Sequence, residues 1–216
     1  KDLKKIGEVR SQVSNLEISL RNTLGYYTNL NNQFLNLIAE TANLNNNGKI
    51  SRTINAYVSF LIAKEKAGLE RAVLANTFAR KSFGPGMFEK LIKLITKQEV
   101  YTNVFKRLAS PEQLKRLETE EKSLAFSLVN KYRQDAFSHD PELIAKHYPK
   151  DWFETITKKI DALKKIELSL VEDLKNQVND IESKTTINLI VLFALLLAAI
   201  VVTFLLLYFI KNQIEK

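Results

Sequence analysis

The residues of this 216-residue chain best suited to chemistry lie in one stretch, residues 64–79, which reads KEKAGLERAVLANTFA. On a helical wheel Arg71 falls about 100° from the middle of the main apolar stripe, which is built from Ile54, Val58, Leu61, Ile62, Leu69, Ala72 and Val73. Its own strip carries Tyr57, Phe60, Lys64, Ala67, Gly68, Ala75 and Phe78, and Ala67, Gly68, Ala72 and Ala75 surround it within one turn. Small residues let a neighbouring helix come close, and they leave room around a guanidinium whose planar fork matches a planar oxyanion. Glycine inside a helix costs roughly 1 kcal/mol against alanine, and close packing is one reason that would offset this at Gly68. The candidate ligand-binding set is therefore Arg71 and Lys64 with Gly68, Ala67 and Ala75. The competing reading is an alanine-rich packing seam with Arg71 paired to a carboxylate. Glu70 is no obvious partner for it, because adjacent helix positions do not face each other.

Other chemistry is not signalled. There is no phosphate-binding glycine loop, no nucleophile elbow and no histidine pair at metal-ligand spacing. His139 and His147 flank a short segment and read as surface histidines. The absence of cysteine excludes a disulfide framework and thiolate metal sites. No enzyme activity, catalytic residue, metal or cofactor is expected.

The elements that must position Arg71 are helices. Only 6 glycines and 4 prolines punctuate the chain, and no alternating run argues for a strand. A first long helix is expected over about 2–44, ended by the Asn-rich turn before Gly48. A second, capped by Ser51, is expected over 51–79, and a third over 87–108 after the Ser82-Phe83-Gly84-Pro85-Gly86 break. Ser110, Pro111 and Gln113 form a capping box for a fourth over 111–134. A short piece ends at His147, and Asp151 with Glu154 opens the last helix. That helix carries a continuous stripe including Ile156, Ile160, Leu163, Leu170 and Leu174, which is expected to pack on a neighbouring helix or on the same face of a second copy. The fold class is all-α, with long helices in antiparallel bundles.

Residues 189–210 form an uncharged run, LIVLFALLLAAIVVTFLLLYFI, long enough to cover the roughly 30 Å core of a bilayer. This gives an expected organisation of an extracytoplasmic helical domain over 1–186, a single C-terminal transmembrane helix over 187–210 and the start of a cytoplasmic segment at 211–216. Both ends look like cuts in a longer protein. The net charge of +8 arises from 32 Lys and Arg against 24 Asp and Glu, dispersed along the chain without a long basic block. That dispersal speaks against nucleic acid as a partner.

Taken together, Tyr26-Tyr27-Thr28-Asn29-Leu30-Asn31, the Lys64–Ala72 segment, Phe78-Ala79, Phe83, Gln98, Ala109-Ser110-Pro111, Asp151-Trp152-Phe153 and Ile160-Asp161-Ala162-Leu163 resemble the nitrate- and nitrite-sensing (NIT) domain family in order and spacing, over about residues 10–180. The resemblance implies an all-helical fold, nitrate or nitrite as a small anionic ligand, and a ligand role for Arg71. It also implies a second arginine in a Lys-Glu-Arg-Gly-like motif of the first helix. That motif is absent here, and Arg10 matches only a later basic position. Family members include chemoreceptors, histidine kinases and a soluble RNA-binding antiterminator. With the apolar run, the expectation is a homodimeric transmembrane receptor of the bacterial inner membrane, with a periplasmic sensor, a chemotaxis-type role in signal transduction, and no nucleic-acid partner.

Overall fold

The computed structural model of the chain describes the backbone of residues 2–44, 46–138 and 140–214, and the side chains of these except residues 2, 20, 21 and 198–214. A 3-10 turn, Asp2–Lys5, leads into α1 (Ile6–Ser14), α2 (Leu20–Leu44), α3 (Gly48–Arg80), α4 (Met87–Leu108), α5 (Pro111–Glu121), α6 (Leu124–Phe137), α7 (Pro141–Ala145) and α8 (Pro149–Ile214). No strand forms among the described residues, as the sequence pattern predicts.

Local chemistry explains most boundaries. The expected helix over 2–44 is broken between α1 and α2, where Leu16 adopts a left-handed φ of 59°. That backbone region is costly for a side chain with a Cβ. The Ser19 hydroxyl then accepts from the Asn22 amide at 3.2 Å and restarts the helix. Asn47, not Ser51, caps α3, its side chain accepting from the amides of Lys49 and Ile50. Ser51 instead donates to the Ala42 carbonyl at 2.7 Å and ties the first turn of α3 to the end of α2. The capping box forms as expected: Ser110 accepts from the Gln113 amide and the Gln113 side chain accepts from the Ser110 amide. The helix it opens divides in two, because the backbone is extended at Ser123.

The chain forms two compact units, Lys1–Glu172 and Asp173–Lys216. The second is the C-terminal part of α8. Among the described residues no helix is long and apolar enough to cross a membrane. Of the span expected at 187–210, only 187–197 has described side chains, and 198–210 lies outside them. At about 1.5 Å of rise per residue the described part covers roughly half of a 30 Å bilayer core.

In the first unit two apolar clusters form. One joins Leu74 and Phe78 of α3 to Leu91 of α4, Val129 of α6, Ile144 of α7 and Trp152 and Ile156 of α8. The other joins Phe60 and Ala67 of α3 to Phe105 of α4, Leu117 of α5 and Leu163, Ile166 and Leu170 of α8. Ile156, Ile160, Leu163 and Leu170 of the α8 stripe thus pack on neighbouring helices of the same chain, one of the two partners expected for that stripe. His147 is not a surface residue: its ring lies 5.1 Å from that of Phe78 and 4.6 Å from that of Tyr132, and it contacts Asp135 at 2.8 Å. His139 lies outside the described residues.

Between the clusters, one polar residue from each of four helices forms a buried layer. Glu70 of α3 has no solvent exposure. Arg133 of α6 donates to it through Nε at 2.6 Å and Nη2 at 2.7 Å. Gln98 of α4 donates to it at 2.8 Å and accepts from Arg133 at 2.9 Å. Lys159 of α8 donates to Gln98 at 3.4 Å. Burial pushes the Glu70 carboxyl up, but the hydrogen bonds and charge of Arg133, with Lys159 and Gln98, outweigh it and hold the group below its ordinary range.

Breaking this pair strands a buried charge, so Arg133→Met is expected to lower stability in urea unfolding at pH 7 by about 3–5 kcal/mol, and Glu70→Leu combined with Arg133→Met to recover most of the loss. Because the Glu70 pKa is lower folded than unfolded, its contribution is present above the unfolded value of about 4.3 and is lost as pH falls through the folded value. That acid-side loss should be absent from the double variant.

Candidate functional site

Arg71, Lys64, Gly68 and Ala75 recur on α3 at steps of three and four, so they share one edge of the helix. That edge faces α8. The indole of Trp152, fully buried at the start of α8, donates to the Arg71 carbonyl at 2.9 Å and fixes the two helices at this level. One turn further along α8, Thr157 accepts a hydrogen bond from Arg71 Nη1 at 3.0 Å. The ring of Phe153 lies beneath the guanidinium, 4.5 Å from its centre, a cation–π contact that holds the charge without neutralising it. No carboxylate pairs with Arg71 among the described residues, so the ion-paired seam weighed above is not what forms.

The other expected residues divide. Lys64 is paired with Glu167 of α8, which also accepts from Lys164 at 2.9 Å. Burial would raise the Glu167 carboxyl, and the hydrogen bonds and charges of Lys64 and then Lys164 bring it below its ordinary range. Lys64 is thus a spent cation, whereas Arg71 is not. Ala67 is fully buried in the second apolar cluster and faces no site. Ala75 packs at the margin of the first cluster. A Cβ added at Gly68 would meet nothing within 4 Å. The glycine therefore does not serve a close helix approach; it leaves open space on the edge between Lys64 and Arg71. Arg10 is exposed on α1.

Sequence reasoning missed Phe153 and Thr157 as partners of Arg71. Their i, i+4 spacing puts them on one face of α8 beside the apolar stripe, and that was the available signal. It also missed the polar layer around Glu70 and Arg133, whose partners are 63 residues apart. No group of three or more His, Cys, Asp or Glu that could hold a metal occurs among the described residues.

The Lys64–Glu167 pair has its own test. Glu167→Gln is expected to lower stability by about 1–2 kcal/mol at pH 7, measured by chemical unfolding, since hydrogen bonds to a charged group are lost. The folded pKa of Glu167 is depressed, so the gap between parent and variant should close as pH falls through that value.

Comparison with known proteins bears on the site's meaning. The chain is 26% identical over 174 residues to a nitrate regulatory protein of Klebsiella oxytoca, a match covering 81% of this chain and 43% of that protein. Its fold is similar, with a TM-score of 0.76 and 26% identity, to the solved structure of the NasR transcription antiterminator, over 83% of this chain and 48% of that one. The chain thus spans less than half the length of the relatives it matches. These relatives are regulatory proteins, one of them a transcription antiterminator. They overturn the expectation of a transmembrane chemoreceptor, and with it the inner-membrane and periplasmic placement, the chemotaxis role and the exclusion of nucleic acid. The family model for nitrate and nitrite sensing matches residues 1–175, most of the chain, and the protein therefore belongs to the nitrate- and nitrite-sensing (NIT) family.

Proposed function

We propose that this chain is the sensory part of a nitrate- or nitrite-responsive regulatory protein, that Arg71 receives the anion, and that binding is passed through α8 to an output acting on transcription. The observation that supports the reading most directly is the state of Arg71: a half-buried guanidinium with one neutral hydrogen-bond partner, one aromatic ring and no carboxylate, beside the open space at Gly68. A weakly hydrated planar monoanion suits such a fork, because its own desolvation is cheap and two oxygens can accept in parallel. The sensory region in this reading is the unit Lys1–Glu172, with Ala75 and Gly68 shaping the edge and Lys64 supplying a second positive charge held back by Glu167. Transcriptional output, and the RNA contact that antitermination would require, come to this chain from the names of its relatives. The protein has no catalytic role of its own in this scheme.

The test is calorimetric titration with sodium nitrate and sodium nitrite against a sodium chloride control. A charge-assisted hydrogen bond contributes about 1.5–3 kcal/mol, so Arg71→Ala is expected to weaken binding by roughly tenfold to a few hundredfold. Arg71→Lys should not restore it, since an ammonium lacks the fork. Circular dichroism should show both variants folded, because Arg71 lies outside the buried clusters. A folded Arg71→Ala that binds nitrate as tightly as the parent removes Arg71 from the site, and a parent that binds neither anion overturns the ligand class.

A further inference from the structure

A second place in the fold carries an unmatched charge. A cavity of about 410 Å³ opens beside the buried polar layer, lined by α3, α4, α5, α6 and α8. Lys159 lines it and is 6% exposed. Its ammonium has one long hydrogen bond, 3.4 Å to the Gln98 side chain, and lies 5.1 Å from the centre of the Phe126 ring. No carboxylate pairs with it among the described residues. Glu70, the nearest buried anion, is already held by both arms of Arg133 and by Gln98. Across the cavity Glu121 accepts from Lys106 at 2.8 Å, a pair that balances itself, and Glu99 is exposed at the rim. The formal charges around the cavity balance only if Glu99 is counted, and Glu99 is exposed to solvent; among the buried groups Lys159 is the cation with no carboxylate within hydrogen-bond reach. An isolated buried ammonium is costly, and a counter-ion from outside would remove that cost.

The walls say which kind of anion. Phe60, Leu117, Phe126 and Leu163 supply apolar surface, and Asn130 and Thr102 supply neutral polar groups. The volume lies in the range of pockets that take organic molecules, about 300–1,000 Å³. An inorganic ion as small as nitrate would meet the ammonium and leave the apolar walls uncovered. We infer that this cavity is a second anion site, separate from Arg71, that takes a small organic monocarboxylate with its carboxylate on Lys159 and its apolar body against Phe60, Leu117 and Leu163.

The burial of Lys159 and the adjacent Arg133 charge bring its pKa down to about 8, against the pull of Glu70 and Glu121. The ammonium therefore persists at neutral pH and is lost above that value, and carboxylate binding should weaken as pH rises from 7 to 9.

The experiment is calorimetric titration of the chain with sodium butyrate and sodium benzoate, with sodium chloride and sodium nitrate as controls. The parent should bind at least one carboxylate, less well at pH 9 than at pH 7, and Lys159→Met should weaken that binding by about tenfold or more, the loss of one charge-assisted bond. Lys159 has no carboxylate of its own to strand, and Glu70 keeps its three hydrogen bonds from Arg133 and Gln98, so the variant should keep its helical circular dichroism. Arg71→Ala should leave carboxylate binding unchanged while losing nitrate, which separates failure of this inference from failure of the nitrate reading. The inference is overturned if neither carboxylate binds, if a folded Lys159→Met binds as the parent does, or if nitrate competes with the carboxylate in Arg71→Ala. Should Lys159→Met fail to fold, the pH comparison on the parent decides, and binding unchanged between pH 7 and 9 overturns the inference.

Discussion

A carboxylate without solvent contact sits near the middle of α3, and the surrounding helices are arranged so that it is never alone. Desolvating an ion costs several kcal/mol even after relaxation, and only close, well-directed donors offset it. Glu70 has three such bonds, two from Arg133 and one from Gln98. Each donor comes from a different helix, and sliding either helix by one turn, about 5.4 Å, would carry its donor out of reach. Apolar clusters above and below tolerate small shifts of register more readily, since Leu, Ile and Phe contacts are not directional. The polar layer therefore sets how α3, α4 and α6 are aligned, and Lys159, bonded to Gln98, brings α8 to the same level.

From that level outward, α8 is attached to α3 by directional contacts spaced along its length. The Trp152 indole reads the Arg71 carbonyl, Thr157 and Phe153 take the Arg71 guanidinium, and Glu167 takes Lys64. Leu163 and Ile166 fill the intervals with apolar packing. Arg71 is thus tied to α8 through its backbone and its side chain at once. A group that draws on the guanidinium draws on contacts that hold α8, which is the property a sensing residue needs and a plain packing residue lacks.

How far the sequence shows this depends on the range of the interaction. The α4 boundaries and the Ser110 capping box were legible because the deciding groups lie within a few residues of each other. The break at Leu16 was not, because the residue that turns left-handed there is neither Gly nor Asn and sits in an otherwise helical pattern. Arg71 was legible as a cation off the apolar stripe, but its environment was not: Thr157 is 86 residues away. The local rule that adjacent positions do not face each other correctly separated Glu70 from Arg71, yet it gave no hint that Glu70 faces inward. The small residues around Arg71 allow either a close helix approach or open room, and Gly68 supplies the room. The apolar run at 189–210 was read as a bilayer span because hydropathy reports only how strongly a segment avoids water. It carries no information on the kind of regulator to which the segment belongs, and there the relatives decide.

In the proposed reading, an anion at Arg71 does not signal merely by binding. A ligand shifts an equilibrium only by the difference in its affinity for the two states. Arg71 has five N–H donors and spends one on Thr157. An anion that took only the remaining donors, from the Gly68 side, would leave the α8 contacts intact and bind both arrangements of that helix equally. To move α8 it must either displace the Thr157 hydroxyl or lift the guanidinium from the Phe153 ring. The ring contact contributes about 0.5–2 kcal/mol depending on how dry it is, and the hydroxyl bond about 1 kcal/mol. Exchanging both for an anion therefore gives a differential of a few kcal/mol at most, a ten- to hundredfold bias of the kind usual for coupling between sites. A carboxylate in place of Thr157 would hold Arg71 too firmly for a weakly basic anion to compete. The neutral hydroxyl and the ring are what keep the charge available.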